Sequence, residues 1–267
     1  MRMLARALVV GTVLLGSTVA HAQEGVAQAI GHGKVDWSSK TVTATGSGAP
    51  SLKAKNVAAA RLGAERAAKL DAFRNILEAI KGVRVTGSQS AGAQMDATPE
   101  VKTRVEGVIN NFKVLDTKYY SDGGVDVIVQ VPLSGVLTEL LVPEAGSKST
   151  AGAADDATGT TGIIINAKGL GAAPALAPRL LDEAGKELFS ASLVSREAAT
   201  RDGVVGYAPT VEVAMKDPRA GDKPLLVKAA RPSEPGGSDL VLLADDAAKI
   251  TKMTKVIAAG RVIIVAD

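Results

Sequence analysis

The stretch Tyr119–Leu133 reads YYSDGGVDVIVQVPL. Val125, Val127, Val129 and Val131 fall on every second position. That period marks a strand with one buried face. Just before it, Ser121-Asp122-Gly123-Gly124 supplies residues that accept positive φ. The pattern predicts a hairpin, with Phe112 to Tyr120 as its first strand and Gly124 to Pro132 as its second. An antiparallel sheet is therefore expected in the first half of the chain.

Outward from the hairpin, a long helix is expected from an N-cap at Ser51 to about Lys81. Val57, Ala60, Ala64, Ala67, Leu70, Phe73, Leu77 and Ile80 recur at spacings of three and four. They form one continuous apolar stripe, with Gly82 placed to cap the end. Upstream, Lys34 to Thr45 reads as a strand interrupted at Ser38-Ser39, and Gly46-Ser47-Gly48-Ala49-Pro50 reads as its end. A short strand at Val83 and Val85, a helix from Pro99 to Val108 and a last helix from about Leu133 to Leu141 complete the half.

The chain divides once. Residues 144–161, EAGSKSTAGAADDATGTT, carry no large apolar side chain. Such a segment buries too little surface to offset its ordering entropy and reads as a linker. After it, Gly162 to Ala167 reads as a buried strand. Leu170 to Pro178 is irregular because of its prolines. Arg179–Asp182 and Glu187–Phe189 read as a hairpin, and Leu225–Ala230 and Leu240–Leu243 as strands. A helix capped by Asp245 runs over about Asp246–Ala258, and Arg261–Ala266 is a last strand. The expected fold class is α+β: two small α/β-sandwich-like domains at residues 23–143 and 162–267. In the first, the long helix packs across a mainly antiparallel sheet.

Residues 1–22, MRMLARALVVGTVLLGSTVAHA, have a basic start, an apolar run and small residues before Gln23. This is the form of a secretory signal peptide cleaved between Ala22 and Gln23. Its removal leaves 245 residues and takes the formal charge from +3 to +1. The sequence pI of about 9.0 then overstates how basic the exported chain is. A nucleic-acid partner is not expected, and neither is a transmembrane segment after signal removal.

The residue inventory is poor in catalytic groups. With no Cys, thiolate chemistry, disulfides and cysteine zinc sites are unavailable. One His, His32, remains after the leader and reads as solvated near a chain end. Gly169-Leu170-Gly171 follows a strand, but Pro174 and Pro178 deny it the helix that a dinucleotide loop requires, so it reads as a turn. Asp155-Asp156 lies in the linker, and Asp245-Asp246 is explained by the start of a helix. Trp37 and the Tyr119-Tyr120 pair read as sheet packing rather than a sugar platform. No catalytic, cofactor or metal residues are assigned, and an enzyme is not expected.

Several segments resemble the LPP-twenty-like lipoprotein family and the related N-terminal part of flagellar assembly protein T. They are ATGSGAP (Ala44–Pro50), AAARLGAERAA (Ala58–Ala68), IKGVRV (Ile80–Val85), VEGVI (Val105–Ile109) and the Tyr119–Leu133 hairpin. The similarity spans roughly residues 34–142. TGIIINAKGLG (Thr161–Gly171) and RVIIVAD (Arg261–Asp267) resemble the C-terminal part of longer members. The resemblance implies an exported cell-envelope protein without a catalytic centre; some members are tied to flagellar basal bodies or the outer membrane. The chain lacks the lipidated Cys of that family, so a periplasmic or secreted form, at most peripheral to the outer membrane, is expected. Its expected role is a structural or assembly factor whose partners are envelope proteins. The alternative is a binding module for peptidoglycan or another envelope polymer, using the Arg219/Lys223 loop and the Gly169–Pro178 loop.

Overall fold

In a computed structural model, residues 25–148 and 159–267 are described. The expected signal peptide, its Ala22–Gln23 cleavage site and Asp155-Asp156 of the linker lie outside them.

The first unit opens with β1 (Ala27–Ile30), β2 (Gly33–Asp36) and β3 (Thr41–Gly48). Helix α1 (Val57–Gly82) follows, then α2 (Ala91–Ala97) and α3 (Pro99–Ile109). The hairpin β4 (Lys113–Tyr119) and β5 (Val125–Pro132) leads into α4 (Val136–Leu141). The sheet runs β1-β2-β3-β5-β4, antiparallel throughout, with α1 across it. The hairpin stands where the alternation placed it, and all four alternating valines of β5 are buried.

How closely α1 approaches the sheet is set by side-chain size along β3. Its inward residues are Val42, Ala44, Gly46 and Gly48. They pair with Val131, Val129, Val127 and Val125 of β5. Toward the glycines the helix descends onto bare backbone. A Cβ at Gly46 would lie 2.0 Å from the Ala72 nitrogen, and one at Gly48 would lie 1.9 Å from the Ala64 oxygen. The helix answers with small residues at four-residue intervals, Ala64, Ala68 and Ala72, all buried, and widens to Ile76 and Ile80 beyond them. At its far end Gly33 of β2 makes room for Ala79.

This seam corrects the expected stripe. Leu70 is 53% exposed and Val57 79%, while Ala68, Ala72 and Ile76 take the buried face. Hydrophobicity favoured the larger residues, but the glycines opposite admit only small ones. Gly46 and Gly48 accordingly belong to β3, which runs on to Gly48. Helix α1 begins at Asn56, whose Oδ1 accepts the Ala59 N–H at 2.8 Å, and not at Ser51. Gly82 is its last residue; the cap is Val83, in extended backbone.

The Ser38-Ser39 interruption is a turn, so the single expected strand is the pair β2 and β3. Val83 and Val85 are buried, but the segment makes only one isolated bridge, Arg84 to Ser90. Strand β1 and helix α2 had no periodic signal in the sequence.

The second unit is built on β6 (Gly162–Asn166), β7 (Leu180–Leu181), β8 (Glu187–Phe189), β9 (Gly206–Ala208), β10 (Pro224–Pro232), β11 (Leu240–Leu242) and β12 (Val262–Val265). Their order is β8-β7-β11-β10-β6-β12-β9. Strands β10, β6, β12 and β9 are parallel neighbours. Parallel strands need cover on both faces. Ile163 and Ile165 join the main core, whereas Ile164 and Ile263 pack with Ala214 of α6 (Val211–Lys216) on the other face. Helix α5 (Arg196–Asp202) comes before β9. The helix expected over Asp246–Ala258 is two, α7 (Ala244–Ile250) and α8 (Thr254–Ala258). Leu243, not Asp245, stands at the first cap; Asp245 and Asp246 lie in the first turn, where the helix dipole favours negative charge.

The two units pack on each other, and one contiguous apolar cluster takes residues from both. Trp37 of the first meets Tyr207 of the second edge-on, with ring centres 5.5 Å apart. The Leu176 and Ala177 N–H groups donate to the carbonyls of Arg84 and Val85 at 2.9 and 2.7 Å. The Gly135 N–H donates to the Thr200 carbonyl at 2.8 Å, where α4 meets α5.

Substituting the seam glycines tests its geometry. Gly46→Ala and Gly48→Ala should each lower unfolding free energy by about 2–4 kcal/mol, because backbone must move to admit the methyl group. Gly63→Ala, on α1 with nothing within 4 Å, should raise it by up to about 1 kcal/mol. Urea denaturation gives the ranking, and equal effects at the three positions would contradict the seam.

Candidate functional site

The turn between β2 and β3, Trp37 to Lys40, carries a first-unit side chain into the second unit. Its anchor is Trp37, buried, with its N–H donating to the Val26 carbonyl at 2.8 Å. Ser38 Oγ accepts the Val26 N–H at 2.9 Å, and Asp36 Oδ1 accepts the Ser39 N–H at 2.9 Å. Lys40 then adopts φ +54°. Left-handed backbone is uncommon for a residue with a long side chain and needs surrounding bonds to hold it. The Lys40 carbonyl supplies one, accepting the Leu133 N–H at 2.8 Å.

Lys40 Nζ reaches the C-terminal end of α5 and donates to the Asp202 carbonyl. Helix C-termini present unpaired carbonyls and the negative end of the helix dipole, so a cation there is favoured. The Arg219 guanidinium comes to the same place from the loop after α6. It donates to the carbonyls of Asp202, Gly203 (3.2 Å) and Val262 (3.5 Å). Among the described residues, neither Lys40 nor Arg219 has a carboxylate within ion-pair distance. Asp202 carboxylate pairs instead with Arg201 at 2.8 Å, and Asp217 Oδ1 accepts the Arg219 backbone N–H at 2.8 Å.

These groups line a cleft of about 330 Å³ between the units, with Arg261 on its rim. Burial, and then the neighbouring Arg219 charge, push the Lys40 amine down to about 7, against the opposing pull of Asp202 and Asp217. Burial likewise lowers Arg219. Tyr207 backs the cleft; its hydroxyl is held by Ala175, donating to that carbonyl at 2.8 Å and accepting that N–H at 2.9 Å, and burial raises its pKa.

The residues singled out from sequence are scattered. His32 is exposed and stands 3.7 Å from Glu78. Gly169 and Gly171 both have positive φ and form a turn with no helix after it. Trp37 packs at the junction of the units; Tyr119 ends β4, paired with Val125, and both it and Tyr120 are about half exposed. Tyr120 donates to Asp126 at 2.7 Å; Tyr119 donates to Glu65 at 3.2 Å and lies under Arg61. The Gly169–Pro178 loop is exposed at Gly169 and Gly171, whereas Ala175 and Ala177 are buried and Leu176 and Ala177 bond to the first unit. Of the Arg219/Lys223 pair, Arg219 turns into the cleft, and the Lys223 N–H donates to Thr161 Oγ1 at 2.8 Å.

Sequence reasoning missed Lys40, Arg201, Asp202 and Arg261. It also missed Asp239, which is buried and accepts from the Arg179 N–H and guanidinium. Lys40 left one sign, the break in alternation beside it.

Comparison with known families divides the chain as the structure does. The family model of the LPP20 lipoprotein matches residues 33–132. That of the second domain of Treponema pallidum Tp0624 matches residues 162–267. The first unit is thus similar to the LPP20 lipoprotein, as its motifs implied. No curated protein matches the chain.

The Lys40 environment predicts a pH dependence. Its folded pKa of about 7 lies below the ordinary 10.5. Between those values the unfolded chain holds a proton that the folded chain lacks, so stability rises with pH through this window and is flat, for this group, below it. Lys40→Met removes the slope. The stability difference, wild type minus variant, should grow in favour of wild type between about pH 7 and about pH 10. Urea midpoints that move in parallel would contradict it.

Proposed function

We propose that the protein is a non-enzymatic component of the bacterial cell envelope, a periplasmic structural or assembly factor that works through protein contacts. The LPP20 lipoprotein match supports the envelope, and the leader-like residues 1–22 support export. Among the described residues, no helix is long and apolar enough to cross a membrane.

The observation that carries the reading is the bare edge of the first sheet. Strand β4 is outermost, touched by α1 only where Tyr119 meets Arg61 and Glu65, and all its residues but one are exposed. Val114 and Leu115 stand out from it at 39% and 46% exposure. An outer strand offers unpaired N–H and C=O groups to another chain, and apolar side chains beside them add affinity. The bulge between Val114 and Asp116 and the charges of Lys113, Asp116 and Lys118 limit indiscriminate pairing, so a selective partner fits the edge better than aggregation does.

A photo-crosslinking residue at Leu115 tests this in cells. The reading expects a discrete protein adduct from Leu115 and none from Leu243, an equally exposed leucine on the second unit. It also expects Leu115→Arg to abolish partner co-purification without lowering the thermal midpoint. Adducts of equal yield from both positions, or none from Leu115, would overturn it.

A further inference from the structure

We propose that the cleft between the two units is a binding site for a dianionic oxyanion: inorganic phosphate, or the phosphate group of a monoester. This goes beyond the contact role of β4, lies on a different face-forming set of residues and does not depend on that role.

Charge counting points to the ligand. With Lys40 protonated, as a bound anion would hold it, the cleft sets Lys40, Arg201, Arg219 and Arg261 against two carboxylates, Asp202 and Asp217, a surplus of two positive charges. The carboxylates are engaged with Arg201 and with the Arg219 backbone, so the two more deeply placed cations make their direct bonds to carbonyls. Partly buried cations without a direct ion pair are costly. A single carboxylate would leave half the surplus unmet, whereas a phosphate in its doubly charged form matches it. Guanidinium forks also suit phosphate oxygens, which take paired N–H donors. The volume of about 330 Å³ lies within the range of small-molecule sites and leaves room for an organic group behind the phosphate.

The site is composite. Lys40 comes from the first unit, and the three arginines come from the second. An anion seated there would tie the units together and stabilise the folded chain by mass action. It would also draw the depressed Lys40 amine back toward its charged form, so binding near pH 7.5 should take up a proton.

The full chain is titrated with inorganic phosphate, with chloride at equal ionic strength as the reference. The expected result is a saturable rise in thermal midpoint with phosphate alone. Calorimetry in two buffers of different ionisation enthalpy should show proton uptake that Lys40→Met removes. Arg201 and Arg261 are exposed, so Arg201→Gln and Arg261→Gln should fold, and each should weaken binding about tenfold. Sedimentation with phosphatidic-acid vesicles separates the sources of the phosphate. Sedimentation lost in the double arginine variant assigns a lipid headgroup, and phosphate binding without sedimentation assigns a soluble ligand. A midpoint no different from chloride, or phosphate affinity unchanged in the double variant, would overturn the site.

Discussion

Helix α1 meets strand β3 backbone to backbone, and much of the structure follows from that contact. Two glycines on the strand and a ladder of alanines on the helix remove the side chains that would hold them apart. Close approach forfeits the burial of large side chains at that point. It gains dense backbone contact and a definite height for the helix above the sheet. With β3 clamped along its glycine end, its other end carries the turn that presents Trp37 and Lys40. The seam therefore acts at a distance, by fixing the strand that delivers the first unit's contribution to the cleft.

At the cleft, the two units are joined by unlike forces. Trp37 and Tyr207 supply buried aromatic area, which is favourable without regard to charge. Lys40 supplies a cation to a helix end already occupied by Arg219. These two charges share one carbonyl, and burial lowers the pKa of both. The aromatic contact suits a permanent junction. The crowded cations suit a junction that responds to pH and to anions, since either a rise in pH or a bound anion relieves the repulsion.

The legible parts of the fold were those governed by local periodicity. Period two on β5 and the Asp-Gly turn placed the hairpin, and the long helix announced itself by length and composition. The face of that helix was not legible, because it was decided by Gly46 and Gly48, residues outside the helix that read locally as a strand end. Alanine is a weak hydrophobic signal, so Leu70 outweighed Ala68 and Ala72 on periodicity alone. Short elements such as α2, α5 and β9 span one or two turns or a few residues, too little for a period to show. The cleft was the least legible feature. Lys40, Arg201, Arg219 and Arg261 lie far apart in the chain and meet only because the two units pack. Arg219, read as a loop residue at the surface, is turned inward by carbonyls contributed from α5 and β12.

The central claim is that the two units form one body whose junction builds the cleft. Trp37 is the only tryptophan in the chain and sits buried at that junction, so its fluorescence reports the junction directly. Urea unfolding followed at once by Trp37 emission and by far-ultraviolet circular dichroism tests the claim. The account predicts one cooperative transition with coincident midpoints. Exposure of Trp37 at lower urea, with the helical signal still intact, would show that the units part before either unfolds and would contradict it.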